Sequence, residues 1–350
     1  MKILIVKRDK VGDLLLATPM IQVLRAALPH ARIDVLATDY NAWVLAGFPH
    51  VDRVWTYRRA RMGRRISASA ALGQAFLWLR LRLRRYDVAI AANGEASQRA
   101  TRRTLLIGAK RTIAYSNRSL RGLTDALPPP TSGHEREGLL ALLEPLGIAP
   151  PPVAPDPCFQ PRAAVREAAA AWLAERGMQP GTFVVIGLGA RRARKQPDPG
   201  QVLRWSAALR ERHGLATVFM WTPGASNDPL YPGDDAIASV VTKAAVAGLH
   251  PFRGPLEMAA ALAWHARTCV FPDSGLMHLA AASPGGVLGL FADVGASPPP
   301  EKWGPLGARA QWLAAERCVA DLPDEEVLAR VAWLLAQPYD AAGARKKAPD

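Results

Sequence analysis

The chain has 350 residues, 49% of them apolar and 21% charged, a balance that excludes a disordered or fibrous protein and fits a soluble chain of about two domains of ~100 to 200 residues. The formal net charge is +14, unevenly spread: residues 1–155 hold 24 basic against 11 acidic side chains, +13, whereas residues 156–350 hold only +1. Such an asymmetry directs the first half toward something anionic, whether a nucleic acid, a membrane surface or a phosphorylated substrate.

Arg supplies 35 of the 44 basic residues and grips phosphate or carboxylate with two parallel donors, although an Arg-rich coding bias explains the preference equally well. No apolar run approaches the ~18 residues of a membrane-spanning helix. The start, MKILIVKRD, is too short in apolar residues for a secretory signal and reads as a first buried strand. Three scattered cysteines, Cys158, Cys269 and Cys318, make neither a disulfide framework nor a paired metal motif, and a reducing cytoplasm is the expected setting.

In chain order, short β-rich runs alternate with longer helical stretches. The runs are Ile3 to Val6, Ile33 to Leu36, Val88 to Ala92, Phe183 to Ile186, Thr217 to Trp221 and Thr268 to Phe271. That alternation predicts two parallel α/β sheets. Thr18 and Pro19 are the expected N-cap and first position of a helix whose Met20, Val23, Leu24, Ala27 and Leu28 share one face. The proline-rich run Ala149 to Pro157 reads as a stiff connector, with domains at 1–155 and 156–337. Asp321 is expected to open a last helix with Val327, Leu328, Val331 and Leu334 as its buried stripe. Residues 338–350 read as a disordered tail.

Ligands of open α/β sheets bind beyond the carboxyl ends of the strands, which singles out three post-strand loops. In the first, Lys7 to Leu16, Gly12 and Asp13 precede an apolar helical run. Asp13 is the candidate general base, and a helix cap is the competing reading. In the second, Gly187 to Gln196, the cluster Arg191, Arg192, Arg194 and Lys195 suggests an anion clamp; a solvated basic loop is the alternative. Its G-x-G lacks the third glycine and the downstream acid of a dinucleotide site. In the third, Phe271 to Ala282, Asp273, Ser274 and Gly275 lead into an Ala-rich helix with Leu276 and His278 in its first turn, a start suited to a diphosphate. No D-x-D pair, zinc motif or Walker loop occurs, so no metal is expected.

These residues resemble the ADP-heptose:lipopolysaccharide heptosyltransferases of glycosyltransferase family 9. The resemblance is carried by MKILIVKRDKVGDLLLATPMIQVLRAALPHARIDVLA, by GHEREGLLALLEPLGI, and by DSGLMHLAAA with WGPLG. It implies a GT-B fold, two Rossmann-like parallel-sheet domains facing a central cleft, with the acceptor on the first domain and the ADP-sugar on the second. By matching positions it implies Asp13 as catalytic base with Gly12 beside it, Lys195 as a ligand of the donor phosphates, Asp273 as a ligand of donor-sugar hydroxyls, and Ser274, Gly275, Leu276 and His278 as the diphosphate site. The implied partners are ADP-heptose as co-substrate, the inner-core lipopolysaccharide acceptor and the anionic cytoplasmic face of the inner membrane, with no cofactor and no nucleic acid.

Charge density adds Arg61, Arg64, Arg118 and Arg121 as candidates for the acceptor's carboxylates or phosphates. Two departures from the family pattern stand out: Ala91, before Asn93 and Gly94, where the family's third-strand Asp-x-(His or Gln)-Gly motif often has its Asp, and Ala292, Asp293 and Val294 with Pro298 to Pro300 before Trp303. In the loop Trp221 to Pro232, Asn227 and Asp228 are candidates for the nucleotide ribose. Two other functions fit less of this pattern: transfer of another nucleotide sugar to a different glycan, and non-enzymatic binding of an anionic polymer. The second lacks a recognisable nucleic-acid motif.

Overall fold

The computed structural model describes residues 1–58, 61–62, 65–66, 68–190, 192–228, 232–292, 295 and 299–339, leaving aside the side chains of residues 61–71. The chain divides into two compact units, Met1–Cys158 and Phe159–Asp350. Between Gly147 and Arg162 it forms neither helix nor strand. Of the expected disordered tail, 338–350, the first two residues are held to the second unit, Pro338 accepting from Arg309 and the Tyr339 hydroxyl donating to the His265 carbonyl at 3.3 Å; residues 340–350 lie outside the described residues.

The first unit contains strands β1 (Lys2–Val6), β2 (Arg32–Thr38) and β3 (Arg53–Tyr57), a two-stranded antiparallel ribbon of β4 (Arg61–Met62) and β5 (Arg65–Ile66), then β6 (Val88–Ala91), β7 (Arg111–Tyr115) and β8 (Asp125–Leu127). The second contains β9 (Phe183–Gly187), β10 (Ala216–Met220), β11 (Leu249–Phe252), β12 (Thr268–Pro272), β13 (Val287–Ala292) and β14 (Ala310–Ala315). Each unit builds one six-stranded parallel sheet, ordered β3-β2-β1-β6-β7-β8 and β11-β10-β9-β12-β13-β14. Counting only the strands of each six-stranded sheet, both orders read 3-2-1-4-5-6, the doubly wound Rossmann arrangement.

The central strands are buried on both faces and read as near-continuous apolar runs, as parallel strands covered by helices must; Ile3, Leu4 and Ile5 are fully buried, as are Phe183, Val184, Val185 and Ile186. In the second unit the two faces of the sheet carry separate cores. Val184, Ile186, Trp205, Phe219 and Leu288 lie in one; Phe183, Val185, Val218, Phe271 and Met277 lie in the other.

Two helix starts differ from the sequence expectation. The first long helix is Thr18–Ala27 with Ala17 at the N-cap. A short helix, Val11–Leu15, already turns the chain, so the Thr18 hydroxyl bonds back to the Leu15 carbonyl at 2.7 Å instead of capping. The last helix is Asp324–Ala336, not opened by Asp321. Asp321 closes a single 3-10 turn, Val319–Asp321, and accepts the Cys318 N–H at 3.1 Å. The stripe of Val327, Leu328, Val331 and Leu334 is buried as expected.

Candidate active site

In a sheet of this order, the loops leaving the first and fourth strands turn to opposite faces and open a crevice between them. In the first unit that switch point lies between β1 and β6. Lys7, directly after β1, is 1% exposed, and its ammonium lies 3.4 Å from Glu135 Oε1 and 3.7 Å from Asp9 Oδ2. Glu135 opens the helix Glu135–Ala141 and is itself buried. Its Oε1 also accepts the N–H of Gly94, in the loop after β6, at 3.0 Å. A Cβ on Gly94 would fall 2.1 Å from Glu135 Oε2, so any larger residue there would push the Glu135 carboxyl out of its bonds. Asn93 Nδ2 donates to Asp9 Oδ2 at 3.0 Å, and Asn41 Nδ2 reaches the carbonyls of Asp9 and Lys10. The loop after β1 is thus clamped from three sides.

Asp13 is the third residue of the helix Val11–Leu15, with Gly12 buried beside it. Its Oδ2 accepts the Lys10 N–H at 2.8 Å, one half of a capping box; Oδ1 has no hydrogen-bond partner among the described residues. The capping reading of Asp13 therefore describes its local geometry, and one carboxylate oxygen remains for chemistry. Burial pushes the Glu135 carboxyl above its ordinary range. Lys7 and the Gly94 N–H offset part of that shift, and the charge of Asp13 adds to it.

Arg8 lies with its guanidinium 3.8 Å over the Tyr57 ring, and its Nε is buried with no hydrogen-bond partner among the described residues. Burial, together with Arg103 and Arg99, lowers its pKa to about 10. Arg118 and Arg121 lie in the loop between β7 and β8, with exposed side chains that form no ion pair among the described residues. Arg64 and the side chain of Arg61 lie outside the described residues.

The second unit repeats the arrangement between β9 and β12. After β9 the loop ends in a 3-10 turn, Ala193–Lys195, which turns Lys195 inward and leaves Arg192 and Arg194 exposed; Arg191 lies outside the described residues. Lys195 is buried and meets Asp273 Oδ2 at 2.6 Å. Asp273 directly follows β12 and donates its N–H to the Leu290 carbonyl at 3.0 Å. Ser274 caps the helix Gly275–Ala281 by accepting the Met277 N–H at 3.4 Å. Gly275 and Leu276 are partly exposed, whereas His278 is buried.

Gln196 Nε2 donates to the Ala190 carbonyl at 2.7 Å and to Asp234 Oδ1 at 2.8 Å, tying this loop to the one after β10. Burial raises the pKa of Asp234, against hydrogen bonds from Gln196 and Thr222. Its neighbour Asp235, bonded to Arg253, Trp221 Nε1 and the Gly224 N–H, is held well below the usual carboxylate range. Asn227 and Asp228 are exposed in the loop so anchored.

Each switch point therefore presents polar groups on a rigid sheet edge: a carboxyl group with a free oxygen in the first unit, and a partly buried lysine–aspartate pair in the second. The first can take a proton. The second can exchange the lysine's carboxylate partner for a phosphate oxygen while the aspartate turns to hydroxyl donors. Sequence reasoning singled out Asp13, Lys195 and Asp273, but missed Lys7, Arg8, Gly94, Glu135, Gln196 and Asp234. Lys7 offered one signal, a cation continuing an apolar strand. Among the described residues, no group of three or more His, Cys, Asp or Glu side chains is arranged to hold a metal.

Compared with known proteins, residues 75–331 match the family described as glycosyltransferase family 9 (heptosyltransferase). No curated protein matches the chain in sequence. Among solved structures, the family 9 glycosyl transferase from Veillonella parvula is 20% identical, covers 95% of this chain and 97% of its own, and has a TM-score of 0.78. The E. coli ADP-heptose LPS heptosyltransferase II is 20% identical over 96% of this chain and 98% of its own, with a TM-score of 0.73. The E. coli heptosyltransferase WaaC with ADP is 18% identical over 95% and 100%, with a TM-score of 0.75. At these identities the structural likeness establishes the fold, the pair of six-stranded parallel sheets of GT-B heptosyltransferases. The family match spans most of the chain, including the Gly94–Glu135 and Lys195–Asp273 contacts, and the protein accordingly belongs to glycosyltransferase family 9, the heptosyltransferase family.

Proposed function

We propose that this glycosyltransferase transfers heptose from ADP-heptose to the inner core of lipopolysaccharide, without a metal and with inversion, at the cytoplasmic face of the inner membrane. The observation that carries the donor half is the partly buried Lys195–Asp273 pair at 2.6 Å at the switch point of the second unit. The name of one similar structure, a heptosyltransferase with ADP, supports the choice of nucleotide. In this reading residues 1–155 hold the acceptor and residues 156–337 the donor.

Asp13 removes the proton from an acceptor hydroxyl, and the oxygen attacks the anomeric carbon from the face opposite the nucleotide. The bond from that carbon to the diphosphate oxygen breaks, and ADP leaves with the electron pair. Lys195, with Arg191 and Arg192 nearby in sequence, balances the charge that develops on the diphosphate. Ser274, Gly275, Leu276 and His278 line its other side, and Asp273 accepts hydrogen bonds from the sugar hydroxyls. Gly12 leaves room beside Asp13. Arg61, Arg64, Arg118 and Arg121 engage the acceptor's anionic groups.

The test is thermal stability with ADP, UDP, GDP and NAD at equal concentration, since a ligand at 100 times its dissociation constant adds about 2.7 kcal/mol. A melting temperature raised by ADP alone is the expected result, followed by ADP release on addition of ADP-heptose and a lipopolysaccharide acceptor. A preference for UDP or GDP would overturn the heptose reading and leave the family intact.

A further inference from the structure

The helix Ala68–Leu83 connects the β4–β5 ribbon to β6 and carries an unusual outer face. Leu72, Phe76, Leu79 and Leu83 are 73, 55, 53 and 71% exposed. At 100° per residue these four fall within about 60° of the helix circumference. The opposite side is the packed one: Leu81 is fully buried, and Leu77 and Trp78 pack on the core formed by Leu4, Leu36, Trp55, Tyr57 and Ile107. The apolar stripe is thus a second hydrophobic face, not part of the one that holds the helix to the sheet.

Its borders are cationic. Arg80 and Arg82, both exposed, project about 80° to either side of the stripe, and the Arg80 guanidinium lies 4.3 Å over the Phe76 ring. From Arg53 through Tyr86 the sequence holds ten arginines and no acidic residue. A helix with large apolar side chains on one line and arginines along both edges matches an interface between acyl chains and anionic headgroups, with the apolar line sunk into the headgroup boundary.

We propose that the outer face of the helix Ala68–Leu83 docks the enzyme on an anionic phospholipid bilayer through Leu72, Phe76, Leu79 and Leu83, with Arg80 and Arg82 on lipid phosphates. Charge decides for this occupant over a second copy of the chain. A two-fold contact along the stripe would bring the arginines of one copy against those of the other with no acid to separate them. The inference deepens the membrane part of the proposed function. It stands on surface chemistry that needs neither nucleotide nor acceptor, so it can fail without that reading and survive without it.

The experiment is co-sedimentation of the full chain with vesicles of phosphatidylcholine containing 30% phosphatidylglycerol, and with phosphatidylcholine alone. The expected result is at least tenfold tighter binding to the anionic vesicles. A variant combining Leu72→Ser, Phe76→Ser, Leu79→Ser and Leu83→Ser should lose at least tenfold of that binding. Arg80→Glu with Arg82→Glu should abolish the preference for phosphatidylglycerol. Because all six side chains are exposed, melting temperatures should stay within a few degrees of the parent, and ADP should stabilise parent and variants alike. No binding by the parent, or equal binding by the four-serine variant, would overturn the proposal. So would concentration-dependent dimers in sedimentation velocity that the four serines dissolve while vesicle binding is unchanged, which would give the face to a second copy.

Discussion

In the proposed mechanism Asp13 combines two roles that usually compete. One carboxylate oxygen closes the turn at Lys10, which fixes the side chain, and the other is left for a proton. Asp13→Ala should cut turnover by at least ~100-fold, the range expected for loss of a general base, while ADP still raises the melting temperature. Near-normal turnover would remove Asp13 from the mechanism. Lys195→Ala should instead weaken ADP stabilisation and turnover together, because the partly buried Asp273 carboxylate is then left without its cation as well as the diphosphate without its counter-charge. Unchanged ADP affinity would reject Lys195 as a phosphate ligand. All three residues were legible in the sequence as polar positions just past apolar strand-like runs. Glu135 was not, because its importance comes from meeting Lys7, 128 positions away, and Gly94, contacts that exist only once β1 and β6 are neighbours.

At the scale of elements, the strands read from the sequence were the short, mainly apolar runs of β1, β2, β6, β9, β10 and β12. The ribbon strands β4 and β5 and the sheet strands β3, β7, β8, β11, β13 and β14 were not read, and for β3, β7 and β13 the reasons are local. β3 and β7 begin with Arg and carry Thr within, and Gly289 interrupts β13. That glycine is a packing requirement: a Cβ there would fall 2.7 Å from Met277 Sδ on the helix that follows β12. β2 holds a different surprise, a carboxylate in the sheet core. Asp34 is fully buried, and its Oδ2 accepts from Tyr86 Oη at 2.6 Å and Trp55 Nε1 at 3.0 Å. This network ties β2 and β3 to the start of β6. Asp34→Ala would orphan the buried Tyr86 hydroxyl, at about 1–3 kcal/mol, and leave Trp55 Nε1 only its second bond, to Tyr86 Oη at 3.0 Å, so denaturant unfolding should show a loss of about 2–3 kcal/mol. Tyr86→Phe, which removes one donor and leaves Asp34 its other partners, should cost only about 1 kcal/mol. Equal losses in the two variants would mean that the carboxylate is not the hub.

At the scale of the whole molecule the charge asymmetry was visible from composition, but the response of the fold to pH depends on where individual carboxyls ended up. Glu135 and Asp234 are both pushed up by burial. Between its ordinary value and its raised native value such a group binds protons in the folded state that the unfolded state does not. Stability therefore rises as pH falls through that interval and is lost on the way back up. Asp87, Asp125 and Asp235 are held down by Lys110, Arg111 and Arg253 respectively. Their contribution is present above the ordinary carboxylate value of 3.8 and disappears as pH falls through their lowered native values. Below that point the chain also gains positive charge on top of +14, and self-repulsion adds to the loss. Against the raised carboxyls, burial lowers the pKa of His50, His250 and His265, and their contribution falls as pH drops below the ordinary 6.5. The two sets oppose each other, so the melting temperature should change little until the carboxylate range and fall steeply below about pH 4. Asp234→Asn keeps one acceptor oxygen, for Gln196 or for the Thr222 N–H, and has no proton to exchange. The melting temperature of the parent relative to this variant should therefore rise as pH falls toward the ordinary carboxylate value, and a difference that does not change with pH would show that the raised Asp234 carboxyl does not govern stability in this range.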